Sequence, residues 1–124
     1  MRTIGEILAG KRLREVVTVD ASDTVLEAVR QMDQANTGSV VVLDDDRMSG
    51  IFTERDLMRR VVLRGRDVSQ TRVSEVMPRD LVFTEPSEPG KDAMSKMTRH
   101  RCRHLPVIEG ERLLGVVSIG DLMK

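Results

Sequence analysis

The apolar positions of this chain change period several times, and the changes come in the same order twice. Val16–Val19 is a short β-favouring run, followed by polar residues among which Ser22 or Asp23 is placed to cap a helix. Val25, Val29 and Met32 then recur at helical spacing. "SVVVL" (39–43) has the length and content of a buried strand, "DDDR" is turn chemistry, and Met48–Phe52 completes a hairpin. A helix is expected to begin near Thr53. The same succession then returns as Leu81–Thr84, a cap at Ser87, Met94 and Met97 on a helix, "HLPVI" (104–108), "EGER", Leu113–Val117, and a helix from Ser118. Each half reads β-α-β-β-α.

The two halves are copies. Residues 16–59 lie over 81–124 without a gap, at a constant offset of 65. Identical pairs include Val17/Val82, Ser22/Ser87, Ala28/Ala93, Met32/Met97, Val42/Val107, Arg47/Arg112, Leu57/Leu122 and Met58/Met123. Upstream, "IGEIL" (4–8) echoes "VSEVM" (73–77) at an offset of 69. The chain divides into a first repeat with its lead-in, 1–65, and a second, 66–124. A unit of about 50 residues buries too little of its surface to hold a core well by itself. The expected fold is therefore α/β (α+β), with the two repeats packed sheet to sheet about a pseudo-twofold axis, helices outside, and two related clefts lined by both repeats.

The most closely repeated phrase carries the candidate chemistry. "GIFTERD" (50–56) and "GVVSIGD" (115–121) share Gly50/Gly115, a hydroxyl at Thr53/Ser118 and a carboxylate at Asp56/Asp121. A hydroxyl residue followed three positions later by an acid is the pattern of a capping box, and capping is one reading. The other uses the same groups for a ligand. The hydroxyl and the unpaired backbone amides of a helix start can meet a phosphate. The carboxylate can accept hydrogen bonds from both hydroxyls of a ribose, and glycine lets backbone come close.

With these residues in place, the chain resembles a tandem pair of CBS domains, or Bateman module, and most of all the small stand-alone bacterial CBS-pair proteins. The resemblance covers essentially the whole sequence and rests on both G-h-h-[ST]-x-x-D phrases, on "RHLPV" (103–107) and on "VSEVM". It implies binding of an adenosine-containing ligand: AMP, ADP, ATP, NAD(H) or S-adenosylmethionine. Asp56 and Asp121 match the family's ribose-binding aspartate, and Thr53 and Ser118 its phosphate-contacting hydroxyl. The resemblance also implies that Val17, Thr37, Gly38 and Ser39 face the site of Ser118 and Asp121. Val82, Cys102 and Arg103 would face that of Thr53 and Asp56, with Arg55 as a further basic group. Arg103 and His104 align with Gly38 and Ser39, so only the second repeat supplies charge there, and the two clefts are expected to bind unequally. The family's disc-like homodimers make Leu57, Met58, Leu122 and Met123 the implied interface.

Composition narrows the alternatives. The 124 residues carry 20 basic and 20 acidic side chains, so net charge selects no partner. With no Trp or Tyr and only Phe52 and Phe83, a base-stacking nucleic-acid platform is poorly supplied, and no nucleic-acid partner is expected. The Arg59–Arg66 run is by default a solvated face, and otherwise contacts phosphates or a partner. The single Cys suits a reducing cytoplasm, and no apolar run is long enough for a membrane span or a secretory signal. His100, Cys102 and His104 lack the spacing of common zinc sites, so no metal is expected, and Cys102 reads as a small apolar residue. No nucleophile with a base stands out, which argues against an enzyme and against a catalytic cofactor. The sequence reading is a cytoplasmic, homodimeric, nucleotide-sensing regulatory module whose output goes to a separate, unidentified protein or to the oligomer surface. The alternative is an interaction scaffold that has lost its ligand.

Overall fold

Helix α1 (Ile4–Ala9) precedes the first repeat in the computed structural model, which describes residues 2–10 and 16–124. That repeat runs β1 (Thr18–Asp20), α2 (Val25–Ala35), β2 (Ser39–Asp44), β3 (Arg47–Thr53) and α3 (Glu54–Asp56), which widens into a π-helical segment over Leu57–Val62. A short α4 (Val73–Val76) leads to α5 (Gly90–His100), β4 (His104–Glu109), β5 (Arg112–Ser118) and α6 (Ile119–Met123). No helix among the described residues is long and apolar enough to cross a membrane.

The duplication holds at the level of backbone conformation. α2 and α5 both end on a left-handed residue, Asn36 (φ 52°) and Arg101 (φ 55°), which lie 65 positions apart. Both hairpins are antiparallel, with Ser39 paired to Thr53 and His104 to Ser118. Val19 pairs in parallel with Val42, and its counterpart Thr84 with Val107. The copies differ in how far that parallel pairing extends. β1 is a strand, whereas the expected strand Leu81–Thr84 is reduced to the single bridge at Thr84. Two prolines account for this. In the first repeat the Val41 amide donates to the Val17 carbonyl at 2.9 Å and the Ala21 amide to the Leu43 carbonyl at 2.7 Å. The aligned positions are Pro106 and Pro86, which have no amide hydrogen to give.

The lead-in helices exchange places. The chain forms two compact units, one of Val16–Leu81 and one of the described residues of Met1–Glu15 with Val82–Lys124. The division of the sequence at 65/66 is thus not the division of the packing. α1 stands before the first repeat but packs into the second, where Ile4 and Ile7 join Ala93, Met97, Leu105, Val107 and Val117 in one core. α4, just before the second repeat, gives Val73 and Val76 to the first-repeat core with Val25, Val40, Val42 and Phe52.

This exchange also moves the helix caps away from the expected Ser22, Asp23 and Ser87. Asp20 and Asp23 are occupied in a turn, where Asp23 Oδ2 accepts the Asp20 amide at 2.8 Å. Thr24 is the cap of α2, its hydroxyl accepting the Glu27 amide at 3.2 Å. Pro89 precedes α5 and offers no side-chain cap. In both units the lead-in backbone satisfies an orphan amide: Val25 donates to the Thr71 carbonyl at 2.8 Å and Gly90 to the Arg2 carbonyl at 2.9 Å.

One core position is polar. Thr84 is fully buried, and its hydroxyl finds no hydrogen-bond partner among the described residues. The first repeat has Val19 at that position. A buried unsatisfied hydroxyl costs about 1–3 kcal/mol, and valine has nearly the same shape. Thr84→Val is therefore expected to raise stability by about 1 kcal/mol or more. A urea unfolding curve with an unchanged or lower midpoint would contradict this.

Candidate functional site

In each unit the repeated phrase ends a strand and starts a helix, and its hydroxyl and carboxylate bond each other's backbone. The Thr53 amide and hydroxyl both donate to Asp56 Oδ2, at 2.9 and 3.0 Å, and the Asp56 amide donates back to Thr53 Oγ1 at 3.3 Å. The Ser118 amide donates to Asp121 Oδ2 at 2.8 Å, and the Asp121 amide to Ser118 Oγ at 3.1 Å. Both phrases are thus reciprocal capping boxes, which fix the rotamer of each carboxylate.

The two glycines of the phrase serve the lead-ins. A Cβ on Gly115 would stand 2.8 Å from Leu8 Cδ1, and one on Gly50 would stand 3.3 Å from Met77 Sδ. Leu8 and Met77 are themselves equivalent positions of the two lead-ins. The close approach expected at these glycines is therefore occupied by the lead-in's own apolar side chain.

Each unit gathers its share of the sequence-identified residues at one end of its sheet. In the first, Val17 precedes β1, Thr37 and Gly38 lead into β2, Ser39 pairs with Thr53, and the Glu54 amide donates to the Gly38 carbonyl at 3.0 Å. Arg55 and Asp56 follow at once. In the second, Val82 and Cys102 pack half-buried against the core, His104 pairs with Ser118, and the Ile119 amide donates to the Arg103 carbonyl at 2.8 Å. His100 belongs to α5 and His104 to β4, with left-handed Arg101 between them, so the alternating histidine–cysteine pattern does not run along one strand. No group of three His, Cys, Asp or Glu placed to hold a metal ion occurs among the described residues. Cys102 is half-buried against the second-unit core, and burial pushes its thiol up, which disfavours the reactive thiolate.

Glu54, which the sequence reading passed over, and Arg60, which it read only as part of the Arg59–Arg66 run, shape the first-repeat corner. Glu54 lies over Gly38, where a Cβ would come within 2.9 Å of its Oε1. Arg60 sits one helical turn beyond Asp56, with its Nε 3.6 Å from Asp56 Oδ1. The i,i+4 spacing of Asp56 and Arg60 was available in the sequence as a signal. Burial pushes the Asp56 carboxyl above the usual aspartate range, and this outweighs the bonds from Thr53 and the attraction of Arg60 and Arg55. The folded chain thus holds this proton more tightly than the unfolded one. The contribution of Asp56 to stability fades as pH rises from the ordinary aspartate value through the raised one.

The second-repeat corner has an arginine, Arg103, where the first has Gly38 beneath a carboxylate. The two turns therefore share one capping geometry but differ in charge.

Comparison with known proteins agrees with this geometry. The CBS domain family matches residues 5–63 and again 73–124. The CBS domain-containing protein YhcV of Bacillus subtilis is 39% identical over 87% of this chain and 76% of its own length. A solved CBS-domain protein from Burkholderia ambifaria MC40-6 is 43% identical with a TM-score of 0.93, covering 98% of this chain and 91% of that one. The hexameric CBS-CP12 protein of bloom-forming cyanobacteria is 31% identical with a TM-score of 0.86, covering 98% of this chain and 66% of its own. With both repeats matched, this chain belongs to the CBS-domain family.

Proposed function

We propose that the chain is a regulatory module that binds an adenosine-containing nucleotide, AMP, ADP, ATP or NAD(H), and passes the occupancy to a partner. CBS-pair proteins are commonly regulatory rather than catalytic. The observation that carries the reading is the fixed orientation of a hydroxyl and a carboxylate at the same turn of both repeats. In this reading Asp56 and Asp121 accept the ribose hydroxyls, and Thr53 and Ser118 meet phosphate. Arg103 and His104 add positive charge on the second repeat, while Val17 and Val82 supply aliphatic contacts to a base. Thr37, Gly38, Ser39, Arg55 and Cys102 complete the lining. A ligand shifts the module only by its preference for one arrangement over another.

The test is a thermal shift. At about 100-fold over its dissociation constant a ligand adds roughly 2.7 kcal/mol, several degrees for a domain of this size. AMP, ATP or NADH is expected to raise Tm by that much, and GMP or CMP by less. A flat Tm with every adenosine ligand at millimolar concentration leaves the scaffold reading. One observation favours that second reading: in both repeats the motif amides are already paired inside the capping box, and the Thr53 hydroxyl donates within it as well.

The module is proposed to act as a homodimer in the cytoplasm, and CBS-CP12 shows that members of the family oligomerise. Of the four implied interface residues, Leu57 and Leu122 pack half-buried on their own cores, whereas Met58 (49% exposed) and Met123 (73%) are open. Met58→Asp with Met123→Asp is therefore the informative pair, expected to give monomer without unfolding. Light scattering that finds the wild type monomeric at tens of micromolar contradicts the dimer.

A further inference from the structure

The Arg59–Arg66 stretch, which the nucleotide reading leaves unused, forms a cleft of its own on the first-repeat unit. Arg59, Arg60, Arg64 and Arg66 line an open space of about 730 Å³ together with Glu75 and Val76. That is the size of a small-molecule site. The backbone beneath is π-helical over Leu57–Val62, and five-residue bonds continue beyond it, from the Leu63 amide to the Met58 carbonyl and from the Arg66 amide to the Val61 carbonyl, both 3.0 Å. The wider winding and the turn that follows it leave Arg59 and Arg64 on the lining of one cleft.

Among the described residues the charges of the cleft are unbalanced. Arg66 meets Glu75 at 3.1 Å, and Glu75 also accepts the Arg72 amide at 2.7 Å. Arg60 meets Asp56 at 3.6 Å. Arg59 and Arg64 have no ion-pair partner among the described residues. Among the described residues four guanidinium groups line the cleft with one carboxylate, and each is a planar fork suited to two phosphate oxygens at a time. We propose that this cleft binds a compact oligophosphate anion, at a site separate from the Thr53–Asp56 turn. Two or more linked phosphoryl groups can reach several forks at once, which one phosphate cannot. Arg60 stands between the two places, so an anion that draws it into the cleft loosens its pairing with Asp56.

The probe is inorganic pyrophosphate, titrated calorimetrically into the full chain at constant ionic strength. Saturable binding to the wild type is expected, weakened roughly tenfold or more in the Arg59→Ala/Arg64→Ala double variant. Both side chains are exposed, so the variant keeps its core, and an unchanged melting curve verifies this. Asp56→Asn is expected to keep or tighten pyrophosphate binding, because it frees Arg60. No saturable binding to the wild type, or equal binding to the double variant, overturns the proposal. Loss of binding in Thr53→Val with an unchanged melting curve overturns it too, since the anion would then sit on the motif hydroxyl. Pyrophosphate contains no adenosine, so this result is independent of whether the nucleotide reading stands.

Discussion

Ile4→Ala is expected to destabilise the chain by about 2–5 kcal/mol, although Ile4 lies far in sequence from the core it fills. Ile4 is fully buried among Leu105, Val107, Val117 and Met97, and its amide donates to the Glu88 carbonyl at 2.8 Å. Truncation removes the side-chain contacts and leaves a cavity that helix α1, only six residues long, cannot close by itself. For a domain of this size the loss corresponds to a fall in Tm on the order of 10 °C. Amide exchange tells which core it serves. Protection should weaken first in β4 and β5, where Leu105 and Val107 lie, and later in β2. An unchanged Tm, or protection lost first at Val40–Val42, contradicts the exchange of lead-ins. Replacing exposed Leu81 with alanine is the control, expected to stay within about 0.5 kcal/mol.

That exchange also marks where the sequence stopped being informative. The duplication, the two hairpins and the helices between strands were legible because period and turn chemistry are local properties. The apolar stripe of Ile4, Ile7 and Leu8 says that α1 must be buried, but the stripe fits either of two similar cores. A choice between them is a tertiary fact. The displaced caps follow from it, since carbonyls of Arg2 and Thr71 do work that a serine or aspartate side chain was expected to do. The motif glycines were legible as close approaches, but the neighbour is Leu8 or Met77 and belongs to the same exchange. By contrast, the shortening of the strand at Thr84 could have been read directly. Pro86 and Pro106 stand where Ala21 and Val41 donate, and proline in a ladder position is visible in any sequence. At the candidate site the capping geometry was fully anticipated. The carboxylate of Glu54 over Gly38 was not, because a long exposed side chain has no preferred neighbour until the strand and helix ends are placed.

Removing either motif aspartate is expected to weaken nucleotide binding at its own turn by tenfold or more. A charge-assisted hydrogen bond contributes about 1.5–3 kcal/mol, and about 1.4 kcal/mol is a factor of ten in affinity. The two turns should not respond alike. The second repeat carries Arg103 at the position where the first has Gly38 beneath the carboxylate of Glu54. In the proposed reading Arg103 and His104 favour a phosphate on the second repeat, while at the first Arg55 and Arg60 offset the carboxylates only in part, so Asp121→Ala should remove the tighter AMP site and Asp56→Ala mainly the weaker. At Asp56 the raised carboxyl pKa adds a pH signature. The proton returns at higher pH than for an ordinary aspartate, so binding at that turn should fail earlier on acidification. If the aspartates were caps only, each alanine variant would lose about 1 kcal/mol or less of stability and no affinity. Calorimetric titration of AMP into the wild type and the two variants decides between these accounts. Loss of the tighter isotherm in Asp121→Ala and of the weaker in Asp56→Ala is the predicted result, and wild-type affinities in both variants, with only lower melting temperatures, would contradict it.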